Sequence, residues 1–126
     1  DGQFVWPRSI DLDSNGNVYA SDDFLHRISV FDKEGGFLSS WGTAGSKEGE
    51  LNGPSGIAFD ADDNIYVVDS ANNRIQKFTS EGVFVSKWGT SGSGDGELNG
   101  PAGVAVASDG SVYVSDTTNR RIQKFT

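Results

Sequence analysis

Short runs in which apolar and polar residues alternate fill most of the chain, and turn residues separate them. β-Branched and aromatic residues dominate these runs, and no segment has a helical period long enough to compete, so the pattern predicts strands. Asn15-Gly16 and Asp109-Gly110 stand between successive runs and are strong hairpin signals. One full unit has its runs at residues 56–60, 64–69, 74–78 and 83–88. It predicts a four-stranded antiparallel meander, followed by a glycine-rich connection.

The same unit is written three times with a constant period of 47 residues. Five residue types recur in phase: Pro7, Pro54 and Pro101; Tyr19, Tyr66 and Tyr113; Asp22, Asp69 and Asp116; Arg27, Arg74 and Arg121; Phe31, Phe78 and Phe125. Four short strands in each repeat of roughly 40–50 residues are typical of a β-propeller blade, which stacks on its neighbours around an axis. The predicted fold is therefore all-β, with about three propeller blades at residues 7–47, 54–94 and 101–126.

The third unit ends before its outermost strand, so the chain is expected to hold eleven strands. Three blades cannot close a ring, and the two end faces and the edge at residues 121–125 would be exposed. We expect either further blades in a parent protein or twofold pairing of two chains into a six-bladed ring. The chain begins at Asp1 and contains no Met, which we interpret as a processed product or a piece of something larger.

The repeat resembles the NHL repeat of β-propeller proteins. The resemblance is carried by Asp-Ser-Ala-Asn-Asn-Arg-Ile-Gln-Lys-Phe at residues 69–78, by the preceding runs at 56–60 and 65–68, and by residues 116–125. The first unit departs from the pattern, because Leu25 stands where the other units have Asn. The resemblance implies a propeller, usually of six blades, and many such propellers act as binding or sensing domains attached to other modules.

Composition narrows the classes of partner. Ten basic and eighteen acidic residues give a net charge of −8, which argues against a nucleic-acid or anionic-membrane surface. The absence of Cys excludes disulfides, thiolate nucleophiles and zinc–thiolate sites. No apolar run approaches the roughly 18 residues of a membrane span, and we expect no signal peptide among these residues. We expect a soluble chain, and the compartment is left open.

The glycine-rich stretch at residues 41–54, written again at 88–101, is predicted to be a joint between blades. A P-loop needs a Lys-Ser/Thr pair and a following helix, and a dinucleotide fingerprint needs a helix at its end; here a strand follows. Leu51 and Leu98 are expected to pin each joint to the next blade. The joints carry the chain from an outer strand to the next inner strand.

Residues 11–22 fit the calcium-binding loop of an EF-hand at several positions, with Asp11, Asp13 and Asn15 as candidate ligands. The other two units have Ala58 and Ala105 at the first position, and the segment spans a strand–turn–strand without flanking helices. A hairpin turn is the favoured interpretation, and a weak surface Ca²⁺ site is the alternative. No other cofactor is expected.

The aspartate and arginine that recur in every unit are interpreted as structural. A catalytic residue is needed once, whereas a residue that holds a loop closed is needed in each blade. We therefore expect loop-tethering hydrogen bonds and ion pairs from Asp22 and Arg27, Asp69 and Arg74, and Asp116 and Arg121.

Topology predicts where a binding surface would lie. In an up-and-down blade the turns between the second and third strands emerge on the same rim as the joints, and polar loops over a rigid scaffold commonly carry binding sites. The candidate rim residues are Asp22, Asp23, His26, Asn72, Asn73, Thr117, Asn119 and Arg120. His26 is the only His and could serve as a base or metal ligand, but its place in the turn favours an exposed residue.

Two classes of function follow. The favoured hypothesis is a non-catalytic interaction or scaffold module that binds a protein, peptide or glycan on this rim. The alternative is part of a metal-dependent lyase or lactonase-like propeller enzyme, which needs His and carboxylate ligands from several blades. One His and one inner-strand carboxylate, Asp11, are too few within the chain. We predict no catalytic residue here.

Overall fold

The computed structural model describes residues 2–126 and shows a row of antiparallel sheets. Blade 1 contains β1 (Pro7–Leu12), β2 (Val18–Asp22), β3 (Arg27–Phe31) and β4 (Phe37–Trp41). Blade 2 contains β5 (Pro54–Phe59), β6 (Ile65–Asp69), β7 (Arg74–Phe78) and β8 (Phe84–Trp88), with one 3₁₀ turn at Ser70–Asn72. A small pair follows, β9 (Thr90–Ser91) and β10 (Glu97–Leu98). Blade 3 contains β11 (Pro101–Val106), β12 (Val112–Asp116) and β13 (Arg121–Phe125).

Strand order within each blade follows the chain, as an up-and-down meander requires. The eleven predicted strands are all present, and β9 and β10 are two more that the prediction missed. They pair in parallel because the second joint folds back on itself, and the Gly92 N–H donates to Leu98 O at 3.1 Å. The first joint makes the matching parallel bridge between Ala44 and Leu51. A two-residue ladder leaves no alternation in the sequence from which it could be predicted.

Two hydrophobic cores lie between the blades rather than within them. The first joins Tyr19, Ile28 and Val30 of blade 1 to Ile57, Ile65, Val67 and Phe78 of blade 2, with Leu51 of the joint. The second joins Tyr66, Val68 and Ile75 of blade 2 to Val112 and Val114 of blade 3, with Leu98 of the joint. Both joint leucines are fully buried, as the sequence predicts.

The inner strands approach each other closely, which explains their small residues. A Cβ atom on Gly56 would lie 2.6 Å from the Ala102 carbonyl oxygen and 2.8 Å from Gly103 Cα. Only glycine fits this contact between β5 and β11 without a backbone shift. Among the described residues, no helix has the length and apolarity that crossing a membrane requires.

Candidate interaction rim

The turns between the second and third strands lie directly against the joints. The backbone N–H of Asp23 donates to Trp6 O at 3.0 Å, and that of Ala71 donates to Asn52 O at 3.0 Å. Blade 3 repeats the bond from Thr118 N–H to Asn99 O at 3.1 Å. Within residues 2–126, the turns and the joints therefore lie together on one rim of the blade row.

A buried carboxylate in blade 2 organises this rim. Asp69 is fully buried, and its Oδ1 accepts the backbone N–H of Asn52 at 2.7 Å. Its Oδ2 accepts three side-chain donors: Asn72 Nδ2 at 2.9 Å, Arg74 Nε at 2.6 Å and Gln76 Nε2 at 3.3 Å. We call Asp69, Asn72, Arg74 and Gln76 the joint clamp of blade 2.

The clamp's donors also hold the preceding glycine-rich joint. Arg74 donates to the carbonyl oxygens of Ser46, Lys47 and Glu50 at 2.8–2.9 Å. Asn72 Nδ2 donates to Gly45 O at 2.9 Å, and Gln76 Nε2 donates to Glu50 O at 2.7 Å. Gln76 Oε1 in turn accepts the Gly49 N–H at 2.9 Å. The joint's backbone groups are thus satisfied by side chains, as buried or half-buried peptide groups require.

Blade 3 repeats the clamp with Asp116, Asn119, Arg121 and Gln123. Asp116 accepts the Asn99 N–H at 2.8 Å and the Arg121 Nε at 2.8 Å. Asn119 Nδ2 and Gln123 Nε2 also donate to this carboxylate, at 2.9 and 3.2 Å. The recurrent Asp and Arg therefore tether the joints of blades 2 and 3 by ion pairs. The glutamine and asparagine beside them are clamp members whose role the sequence analysis missed, although both recur at the same phase.

Blade 1 lacks the ion pair that the sequence predicts. Among the described residues, Asp22 makes no salt bridge, and Arg27 donates instead to Gln3 O at 2.7 Å while its Nε has no partner. Leu25 and Ser29 replace the clamp's asparagine and glutamine. Ser29 Oγ is buried with no hydrogen-bond partner among residues 2–126. Both predicted residues still tether the loop, but they do so separately.

Asp22 is instead surrounded by backbone donors. Its Oδ2 accepts Val5 N–H at 2.8 Å, and its Oδ1 accepts the N–H groups of Trp6, Phe24 and Leu25 at 3.0–3.2 Å. Burial raises the pKa of the Asp22 carboxyl, but these donors outweigh burial and bring the pKa below its usual value. The carboxylate is charged and structural.

The pKa of the Asp116 carboxyl is lowered in the same way. Burial again acts to raise the pKa, and the donors on Asn99, Asn119 and Arg121 outweigh it. Neither carboxylate is poised near neutral pH, where an acid–base catalyst would be expected.

A second recurring position, the last residue of each turn, reaches the next joint. His26, Asn73 and Arg120 all occupy left-handed backbone, with φ of 55°, 53° and 56°. His26 Nδ1 accepts the Gly53 N–H at 3.0 Å, and Asn73 Oδ1 accepts the Gly100 N–H at 2.9 Å. His26 is half-buried by this contact rather than exposed as predicted.

The other predicted rim residues differ in their exposure. Asp23 is half-buried and pairs with Arg8 at 2.6 Å, whereas Thr117 and Arg120 are exposed. Asp22, Asn72 and Asn119 are occupied by the contacts described above. Only part of the predicted set is therefore free to meet a ligand.

The calcium candidates accept hydrogen bonds from the polypeptide itself. Asp13 Oδ1 accepts the N–H groups of Asn15 and Asn17 at 2.9 Å, which closes the hairpin turn. Asp11 accepts Leu12 N–H at 2.8 Å and, across the blades, Phe59 N–H at 3.3 Å. Within residues 2–126, no three His, Cys, Asp or Glu side chains are grouped so that they could hold a metal ion.

Two exposed aromatic residues on the rim were missed by the sequence analysis. Trp6 and Phe24 expose 61% and 62% of their surface. With Asp23 and His26 they line a shallow cavity of about 290 Å³. The signal was in the repeat, because the residues at the phase of Trp6 are Gly53 and Gly100, and those at the phase of Phe24 are Ala71 and Thr118.

Comparison with known proteins agrees with this architecture. The family model described as NHL repeat matches residues 51–78 and 98–125. RING finger protein nhl-1 of Caenorhabditis elegans is 50% identical over 52 residues, which are 41% of this chain and 5% of that protein. The chain thus spans about a twentieth of that curated relative.

Solved structures show the same fold. The streptogramin B lyase structure superposes with a TM-score of 0.73 at 20% identity over 93% of this chain and 36% of that one. XC5397 from Xanthomonas campestris, a gluconolactonase, gives a TM-score of 0.69 at 19% identity over 91% of this chain and 36% of that one. At such identities the likeness concerns the fold alone. It defines the chain as a segment of a β-propeller.

Two segments match the NHL repeat: residues 51–78, which run from the first joint through β7, and residues 98–125, which run from the second joint through β13. They make up 56 of the chain's 126 residues, and they confirm the resemblance predicted from the sequence.

Proposed function

We propose that this chain is a non-catalytic interaction and scaffold module, whose rim binds a protein, peptide or glycan. The observation that carries the proposal is the turn of blade 1, where the repeat is broken by an exposed aromatic. Phe24 stands where Ala71 and Thr118 occupy the other turns, and a solvent-exposed phenylalanine at a turn has no role in the blade's own core.

The surroundings of Phe24 have the chemistry of an interface. Trp6 supplies a second exposed aromatic, and Asp23 and His26 supply polar groups at the edge of the same cavity. Aromatic residues with a polar margin are enriched where proteins bind partners. We call Trp6, Asp23, Phe24 and His26 the rim patch.

The rest of the rim supports binding by being rigid. Each clamp ties a joint of about a dozen residues to a buried carboxylate, so little conformational entropy would be lost when a partner docks. A preorganised platform that carries one variable, exposed patch is a common design of binding domains.

The alternative function is a metal-dependent lyase or lactonase-like enzyme, the classes to which two of the fold's neighbours belong. Its metal site would need several His or carboxylate ligands. Because residues 2–126 group no three such side chains, those ligands would have to come from outside this chain. No contact within the described blades favours this alternative.

A display experiment tests the interaction proposal. A random-peptide phage library and a glycan array would be screened against the immobilised chain, and binders would be titrated against Phe24→Ala. We expect enriched binders whose affinity falls at least about tenfold in the variant, as for an interface hot spot. Val85→Ala is the matched control, because Val85 is also exposed, at 47%, but lies on the outer strand β8.

Two results would contradict the proposal. One is the absence of any enriched ligand on either library. The other is a set of binders that Phe24→Ala and Val85→Ala affect equally.

A further inference from the structure

The outward face of blade 3 repeats a face that blade 1 buries. Tyr19 and Ile28 of blade 1 are 4% and 0% exposed because they pack on blade 2. The equivalent residues of blade 3, two repeats later, are Tyr113 and Ile122, which are 38% and 67% exposed. Within residues 2–126, blade 3 therefore presents the side chains of a blade junction with no blade packed on them.

The opposite end of the row presents the matching groove. A cavity of about 370 Å³ on blade 1 has an almost wholly apolar lining that includes Phe4, Ile10, Val18, Ala20 and Phe31. The residues at the same phases of blade 2 are Leu51, Ile57, Ile65, Val67 and Phe78, which receive Tyr19 and Ile28 at the first junction. The groove of blade 1 is thus lined at the same repeat positions as the surface of blade 2 that receives blade 1.

Polar groups at the two ends also correspond. At the first junction Ser21 Oγ accepts Ser9 N–H at 3.1 Å and donates to Ser55 O at 2.6 Å in blade 2. Ser115 stands at the phase of Ser21 and accepts Gly103 N–H at 2.7 Å. Its hydroxyl proton is therefore available to a carbonyl oxygen. In blade 1 the residue equivalent to Ser55 is Arg8, so the Arg8 carbonyl would be the acceptor. Blade 2 has Val68 at the position equivalent to Ser21 and Ser115, so this hydroxyl does not occur in every repeat.

The clearest correspondence lies at the left-handed turn position. At the internal junctions an acceptor there, His26 Nδ1 or Asn73 Oδ1, receives the N–H of a glycine in the next joint. Blade 3 has Arg120 instead, which carries donors only and cannot accept an N–H.

The receiving position has changed as well. Blade 1 has Trp6 at the phase of Gly53 and Gly100, and the Trp6 N–H is already donated to Asp22 Oδ1 at 3.2 Å. No acceptor is needed opposite it. A guanidinium stacks favourably on an indole face. Both members of the pair have therefore changed in a way that suits them to each other.

We propose that two copies of this chain dock head to tail, with blade 3 of each copy on blade 1 of the other, and close a six-bladed ring. At each of the two seams, Ile122 fills the apolar groove and Arg120 lies over Trp6 of the second copy. The inference rests on the proposed function in one respect: Arg120 would then border the rim patch, so each binding site is completed by the second copy.

Solution mass tests the ring. Size-exclusion chromatography with light scattering on the 126-residue chain is expected to give a mass of twice 13.4 kDa. Ile122→Asp is expected to weaken the dimer more than about tenfold, since a charge would enter an apolar seam. Because Ile122 is exposed within one chain, the variant should fold. Val85→Asp, a change at another exposed apolar residue on β8, is the control and should leave the dimer intact.

A double-mutant cycle tests the seam itself. Trp6→Gly and Arg120→Asn should each weaken the dimer by about 3- to 30-fold, the range of a cation–π contact. If Arg120 stacks on Trp6, each substitution removes the same contact, so the combined variant should lose little more affinity than either single variant. Additive losses would refute the assigned contact.

A monomeric mass of 13.4 kDa at every concentration tested would overturn the ring, as would a dimer that Ile122→Asp does not affect. A monomer that still binds the selected ligands through Phe24 would leave the interaction function standing. A chain that forms the ring but binds no rim ligand would leave the ring standing and contradict the interaction function. The two failures are therefore distinguishable.

Discussion

Replacing Asp69 by Asn would test whether the joint clamp stabilises the blade row. The substitution keeps the side chain's size but removes the charge, and it places an NH₂ group among the donors of Asn72, Arg74 and Gln76. Arg74 has only 7% of its side chain exposed, so its guanidinium would lose its counter-ion in a buried place.

Breaking one half of a buried ion pair costs about 3–5 kcal/mol. Whole domains of this size are stable by about 5–15 kcal/mol, so the variant should lose a large share of its free energy of unfolding. Urea titration can follow this with tryptophan fluorescence. Trp41 packs on Phe78 at 4.9 Å and Trp88 on Phe125 at 5.7 Å between ring centroids, so the two indoles report on the two junctions.

Asp62→Asn is the matched control, because Asp62 is exposed in a turn of the same blade, and we expect a change within about 0.5 kcal/mol. Adding Arg74→Met to Asp69→Asn removes the stranded charge and should recover part of the loss. Equal, small effects of Asp69→Asn and Asp62→Asn would refute the clamp as a stabilising element.

Three further predictions follow from the same network. Ser29→Gln should raise the free energy of unfolding by about 1 kcal/mol in urea titration. A glutamine at position 29 can bond to Gln3 O and the Gly2 N–H, in the way that Gln76 bonds to Glu50 O and the Gly49 N–H. A loss of stability would show that blade 1 has no room for the clamp. Gly56→Ala should lower the thermal midpoint more than Gly103→Ala, since the new Cβ meets backbone at 2.6 Å in the first case and only Ser115 Oγ at 3.2 Å in the second; equal shifts would contradict the close inner-strand contact. The pKa values of Asp22 and Asp116 are lowered in the folded chain, so as the pH falls the unfolded chain takes up protons before the folded chain does. The two carboxylates should therefore contribute their full stabilisation above about pH 5 and lose it as the pH falls below about 4. Urea midpoints that stay constant down to about pH 3 would refute this prediction.

The blade architecture could be predicted because a blade is a local structure. Alternation, hairpin turns and a fixed period place β5 to β8 without knowledge of any distant contact. The buried state of Leu51 and Leu98 also follows, since each is the one large aliphatic residue of its joint.

The clamp could be predicted only in part. Recurrence marks Asp69 and Arg74 as structural, but it does not show that Gln76 shares their carboxylate, because that contact depends on how the joint folds over the blade. Recurrence also predicted an ion pair between Asp22 and Arg27 that blade 1 does not make, and this blade lacks the asparagine and glutamine of the other clamps. The exposed aromatic residues Trp6 and Phe24 were not predicted, because a prediction from recurring residues does not single out residues that occur in one repeat only.

Amide hydrogen exchange across the second joint tests most directly the central claim that the joints are rigid parts of the rim. The N–H groups of Gly92, Gly96, Asn99 and Gly100 are all donated to partners in the structure. We predict that they exchange as slowly as amides of the neighbouring strand β12 and lose protection together in Asp116→Asn. Exchange at the rate of an open glycine-rich loop would show a flexible hinge and would contradict the account.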